Sequence, residues 1–249
     1  MSSAAMFCLA WLGVAAPAEC AVGDPLLGSV VRSKEYVVRR APRKQEEFIG
    51  EVRYRREDRK FSSDWALCDH DARQWRARGN VRAESRWEEG GTVLLEGQDA
   101  VHDERTGLGR LIGASSRDFV TLTRSGPLKT GMATLLGSDK ARARRLEWDE
   151  PARTATLIGD VRLFGPHGDA EAEQALYRHD DRSLTLSGRR PYVAPREKEW
   201  SAAAQAETIR AASEPRTLRA EGAVKGWIHF EKDPMADVRR GRRLPGGRL

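Results

Sequence analysis

Residues 61–83 read FSSDWALCDHDARQWRARGNVRA. Two short apolar segments, 65–67 and 75–77, flank a polar turn, and Gly79-Asn80-Val81 opens a third; the spacing predicts strands folded into hairpins. The stretch recurs along the chain. Ala66 precedes Gly79 by 13 residues, Ala100 precedes Gly113 by 13, and Ala175 precedes Gly188 by 13. Two looser copies, Ala143 to Gly159 and Ala206 to Gly222, read as having a turn three residues longer. A repeated hairpin cannot bury its own apolar face and must stack on its neighbours, so the expected fold is all-β and elongated.

Outward from that stretch, residues 48–54 alternate apolar and polar from Gly50 onward and carry the same step, glycine then any residue then valine, that returns at Gly79, Gly159 and Gly222. Short strands are expected around Val30-Val31 and at 36–38, then a charged linker over 39–47. Segment 115–136 breaks the period, with a strand at 118–123 and turn signals at Gly126-Pro127 and Gly131. Residues 201–209 have helical propensity in isolation, but their frame matches the other units and predicts strand.

The chain has 249 residues, of which 32% are charged and 39% hydrophobic, with a net charge of +6. Residues 6–16 (MFCLAWLGVAA) are an uncharged run followed by Ala16-Pro17-Ala18, the pattern of an export signal cleaved after Ala18, although residues 1–5 carry no Lys or Arg. No later apolar run is long enough to cross a bilayer as a helix. Cleavage removes Cys8 and leaves Cys20 and Cys68 in an oxidising compartment, either paired or free. Residues 237–249 hold five arginines and no apolar period, the composition of a disordered basic tail.

Three clusters tempt an enzymatic reading: Asp69-His70-Asp71, His102-Asp103-Glu104 and His179-Asp180-Asp181. His70 and His179 each fall nine residues before their unit's glycine and His102 falls eleven before, so all three are placed at equivalent or nearby hairpin tips. Polar residues are expected there for turn reasons. No nucleophile elbow, phosphate loop, zinc-spaced Cys/His set or dinucleotide fingerprint is present. Neither a cofactor nor a metal is expected. The arginines alternate with apolar residues and mix with Asp and Glu, which describes a solvated sheet face better than a nucleic-acid surface; anionic lipid headgroups suit a basic rim better. Trp65, Trp75, Trp148, Trp200 and Trp227 recur at strand positions, either as core or as the wall of a lipid-sized groove.

The unit Ser63-Asp64-Trp65-Ala66 … Trp75-Arg76-Ala77-Arg78-Gly79-Asn80-Val81, with Ala172-Glu173-Gln174-Ala175-Leu176-Tyr177 … Leu184-Thr185-Leu186-Ser187-Gly188 and Leu218-Arg219-Ala220-Glu221-Gly222-Ala223-Val224, resembles the OstA-like family of periplasmic lipopolysaccharide-transport proteins. That family comprises the LptA type with its relatives LptC and the amino-terminal domain of LptD. The resemblance spans about residues 48–230. It implies an elongated, V-shaped β-jelly roll with an apolar groove for the acyl chains of lipid A. It also implies head-to-tail association with LptC-like and LptD-like proteins or further copies of the chain, a periplasmic location, and energy from a partner ATPase rather than bond chemistry in this chain. The departures are a longer chain, the extended turns and the unmatched segment 115–136.

The expected organisation is a signal peptide over 1–18, an amino-terminal strand and linker over 19–47, the OstA-like jelly roll over 48–230 and a basic tail over 231–249. The expected groove set, inward and apolar by alternation, is Val52, Tyr54, Trp65, Leu67, Trp75, Val81, Leu95, Leu111, Trp148, Leu157, Val161, Tyr177, Leu186 and Val224. Two other readings stay open. One is an exported β-solenoid scaffold, structural or adhesive, with a filled core and no ligand; the other is a hydrolase using the acidic turns.

Overall fold

A computed structural model describes residues 29–56, 59–86, 91–113, 118–126, 139–213 and 216–230. The expected signal segment, Cys8, Cys20, the basic tail and most of the 115–136 insertion lie outside these residues. The described residues form no helix; they form eighteen antiparallel strands.

In chain order these are β1 (Ser29–Arg32), β2 (Glu35–Arg39), β3 (Gln45–Arg56), β4 (Arg59–Asp69), β5 (Gln74–Arg86), β6 (Thr92–Asp103), β7 (Leu108–Ile112), β8 (Val120–Ser125) and β9 (Lys140–Ala143). They continue as β10 (Arg145–Asp149), β11 (Thr154–Gly165), β12 (Gly168–Arg178), β13 (Ser183–Ser187), β14 (Tyr192–Pro195), β15 (Trp200–Gln205), β16 (Thr208–Ser213), β17 (Arg216–Glu221) and β18 (Lys225–Phe230). The all-β class built from repeated antiparallel hairpins is therefore what the described residues adopt, and the expected strand at 201–209 falls in β15 and the start of β16, broken at 206–207. Residues 29–39 and 45–47 are not outside the body; β1, β2 and the start of β3 pair into it.

The long strands are bent, and their two halves have different neighbours. One layer runs β2, β3, β4, β5, β6, β7, β10, β11, β12, β13, β16, β17; the other runs β1, β3, β4, β5, β6, β8, β9, β11, β12, β14, β15, β18. Strands shared by two facing layers make a jelly roll.

The recurring glycine is the bend. Gly50-Glu51, Gly79-Asn80, Gly159-Asp160 and Gly222-Ala223 all have positive φ at both residues. In the first three, the pair opposes a single residue on a neighbouring strand, which is a β-bulge. Glycine tolerates this left-handed conformation and the larger residue after it is held by its surroundings. Asn80 Nδ2 donates to Asp64 Oδ2 at 2.8 Å, Lys34 Nζ meets Glu51 Oε1 at 2.6 Å, and Arg144 Nη2 meets Asp160 Oδ2 at 2.6 Å.

The bulge controls which side chains face inward. On β5 and β11 the glycine keeps the parity, so Trp75, Ala77, Val81 and Ala83 share the inner face. On β4, β6 and β12 the single opposing residue shifts it. Phe61 and Ser63 face inward before Asp64, and Ala66 and Cys68 after it.

The loops correct the expected turn lengths. Asp69 pairs with Gln74, Asp103 with Leu108, Asp149 with Thr154 and Arg178 with Ser183, so each of these four turns has four residues. Leu146, not Ala143, is the counterpart of Ala66, and Ile209, not Ala206, is the counterpart in the last unit: they pair with Leu157 and Ala220 as Ala66 pairs with Ala77. Alanine at the kink imitates alanine at the strand, which produces the apparent three-residue extension. The turns also stack, because His70 N donates to Lys44 O, Glu104 N to Arg73 O, Glu150 N to Gly107 O and His179 N to Arg153 O.

Candidate apolar binding site

Between the layers, one inward row on the first runs Phe48, Ala66, Ala77, Ala100, Leu111, Leu146, Leu157, Ala175, Leu186, Ile209. The facing row on the second runs Tyr54, Phe61, Ala83, Leu95, Leu122, Ala141, Leu163, Ala170, Val193. Through the middle of the body these rows meet. Leu111, Val120, Val161 and Ile209 are fully buried, and Leu122 and Leu157 pack against both core clusters.

The amino-terminal end differs. There Val31, Phe48, Val52, Tyr54, Phe61, Ala66, Cys68 and Trp75 line a small apolar recess of about 60 Å³, open at its mouth. Phe61 meets Trp75 edge-on at 5.8 Å between ring centroids, and the contacts continue inward through His102 at 6.1 Å to Trp148 at 6.0 Å, forming an aromatic ladder from the recess into the core. Cys68 is disulfide-bonded.

Of the expected groove set, Val52, Tyr54, Leu67 and Trp75 line this recess. Val81, Leu95, Leu111, Trp148, Val161 and Leu186 face inward but are packed in the closed middle, and Leu157 and Tyr177 are half-buried on the same inner face. Three members are not on the inner face. Trp65 is on the outer face, where its Nε1 donates to Glu47 Oε1 at 2.6 Å and the Arg78 guanidinium lies 5.3 Å from its ring centre. Leu67 shares that parity by register, yet it still lines the recess. Val224, after the last strand bend, is 54% exposed. Simple alternation from Ser63 makes Trp65 and Leu67 inward, and the parity shift at Asp64 reverses this. The same shift hides Ala66 and Cys68 from that reading.

His102 is a second correction. It is not at a tip but on β6, fully buried, in register with Trp75 and Gly109. A side chain at Gly109 would collide with the Trp148 indole, so glycine there makes room for the ladder. Burial holds the His102 imidazole below its ordinary range and pushes the Glu150 carboxyl up to about 7; Glu150 Oε1 is 3.9 Å from His102 Nε2. His70 and His179 do open turns, but the 104–107 and 150–153 turns stand between them. The clusters considered for catalysis are thus not brought together, and no His/Cys/Asp/Glu group among the described residues has metal-site geometry.

No family model matches the chain, and no curated protein matches it. Among solved structures it is similar to LptH, the LptA-homologous periplasmic component of the lipopolysaccharide transport device from Pseudomonas aeruginosa, with 8% identity, a TM-score of 0.21, and coverage of 83% of this chain and 95% of that one. So distant a likeness says nothing about ligand or partner, and the fold assignment above rests on the strand pairing.

Proposed function

We propose that this chain is a carrier for acyl-chain amphiphiles, specifically lipopolysaccharide held by its lipid A chains, in a periplasmic path between partners of the same fold. The observation that carries this reading is the apolar recess at the end where β1 and β2 form the strand edges. Each methylene moved from water into such a site is worth about 0.8 kcal/mol, so even four of them contribute about 3 kcal/mol. The resemblance of the repeat to the OstA-like family supplies the identity of the ligand. Association with LptC-like and LptD-like proteins, or with further copies, is supported by apolar strand edges at both ends: Tyr36 and Val38 on β2, and Trp227, Ile228 and Phe230 on β18, are exposed.

The test is mass spectrometry of an organic extract of the purified protein, followed by titration of the delipidated chain with lipopolysaccharide. Co-purified lipid and saturable binding that falls in Tyr54→Asp are expected. An extract without lipid and a flat titration end the proposal.

The closed middle favours one rival, the filled scaffold without a groove. In that case lipopolysaccharide leaves the melting temperature unchanged, whereas a ligand bound only to the native state raises it.

A further inference from the structure

Along the amino-terminal edge, three inward side chains are exposed. Val31 pairs with Tyr54, Tyr36 with Phe48 and Val38 with Glu46, so all three continue the inner face, and Tyr36 stacks on Phe48 at 4.9 Å between ring centroids. Val31 also lines the recess, while Tyr36 and Val38 extend its apolar wall along β2. Exposed apolar surface continuous with an apolar recess marks a docking surface.

Cys68 identifies what docks there. It lines the recess, pairs with Glu46 on the strand between itself and Val38, and is disulfide-bonded. The only other cysteines of the chain are Cys8 and Cys20, both ahead of β1. Cys8 lies in the segment expected to be removed on export, which leaves Cys20. The bend at Gly50-Glu51 puts Ser29 and Cys68 on opposite layers: Ser29 pairs with Arg56 beyond the bend, and Cys68 with Glu46 before it. A chain running from Ser29 to a bond with Cys68 therefore crosses the mouth of the recess. The nine residues 20–28 reach up to about 30 Å and facing sheets pack about 10 Å apart, so the crossing is within reach. Residues 21–28 read AVGDPLLG, with a single charge, and Val22, Leu26 and Leu27 supply aliphatic side chains of the size that a recess of about 60 Å³ takes.

We infer that residues 21–28 are a strap across the mouth of the recess, tethered by a Cys20–Cys68 disulfide. The bond forms as each thiol loses a proton and an electron, the electron pair reducing a disulfide-bearing oxidant of the export compartment to its dithiol; a dithiol reductant reverses the exchange. The inference stands apart from the acyl-chain reading: an amphiphile entering the recess displaces the strap's side chains, but the strap needs no amphiphile.

The exported full chain is digested with trypsin without reductant. A peptide joining residues 19–32 to 61–73 is expected, from protein that runs as a monomer on a non-reducing gel. Anilinonaphthalene sulfonate, which fluoresces on exposed apolar surface, then reports the mouth. Its signal rises at least about twofold when the wild type is reduced, is already high in Cys20→Ser, and is high in Leu26→Asp/Leu27→Asp with the disulfide intact. That last variant separates the covering from the tether and from any unfolding on reduction.

Free Cys68, or Cys68 joined to Cys8 or to a second chain, overturns the tether. Dye fluorescence that stays at the wild-type level in Leu26→Asp/Leu27→Asp overturns the covering. Neither result depends on lipopolysaccharide, so a flat lipid titration ends the carrier reading and leaves the strap standing.

Discussion

At the amino-terminal end the inward row of the first layer reads Phe48, Ala66, Ala77; in the middle it reads Leu111, Leu146, Leu157. Both regions use the same strand spacing and the same alternation, and the glycine bulge bends strands in each. Ala66 lines the recess together with Val52 and Phe61, whereas Ala77 is already fully buried in the core behind it. The leucines fill the equivalent gap; Leu111 lies so close to Gly97 that a side chain there would collide with it. Side-chain volume on a constant backbone thus decides whether the jelly roll is a trough or a solid. Closure of the middle also means that the expected continuous groove does not run through the body of the described residues.

The largest test of that difference is Leu111→Ala. Truncating a fully buried leucine should lower unfolding free energy by about 2–5 kcal/mol, measured by urea denaturation, with little change in lipid affinity at the recess. Phe61→Ala should do the reverse. It is half-buried at the mouth, so a loss of about 1–3 kcal/mol is expected, with a drop in amphiphile affinity of at least about tenfold. Equal losses of affinity in both variants would erase the distinction between the two regions.

A smaller effect concerns the buried end of the aromatic ladder. The Glu150 carboxyl is raised in the folded state to about 7, so its contribution is fully present below its unfolded value near 4.5 and is lost as pH rises through about 7. It amounts to about 1–3 kcal/mol, below the full linkage value because the carboxyl is partly exposed. His102 acts in the opposite sense: burial lowers its folded value, so acidification costs stability as the imidazole is forced to charge. Glu150→Gln removes the first contribution, and its melting temperature should fall more steeply than wild type between pH 7 and pH 4.5.

The smallest expected change is Asp149→Ala. Its Oδ1 accepts from Ala152 N at 2.8 Å, the same turn contact that Asp69 makes with Ala72, and about 1 kcal/mol is at stake.

The hairpin repeat, the recurrence of its glycine and the strand character of 201–209 were legible from residue type and spacing alone, because turn preferences and period-two alternation act locally; that the glycine bends one continuous strand instead of opening a new one was not. The inner face was legible on the bulged strands: Val52, Trp75, Val81, Leu157 and Val161 are all inward. It was not legible on their partners. Asp64 carries no local mark that it stands alone against two residues of each neighbour, so the faces of Trp65 and Leu67 were inverted. His102 was likewise hidden; its acidic neighbours suggest a turn, and only pairing with Trp75 and Gly109 buries it.

By itself the sequence determined the all-β class, the repeat and the apolar content of each strand, since these follow from backbone sterics and from the cost of leaving apolar surface in water. Only the tertiary structure decided which side chains meet, that the leucine-rich middle shuts while a recess remains among Val52, Tyr54, Ala66 and Trp75, and that Arg32, Arg53, Arg55, Lys60 and Arg82 converge on the outer face of the same strands. Those outcomes depend on inter-strand register, and register is a relation between segments that no single segment encodes.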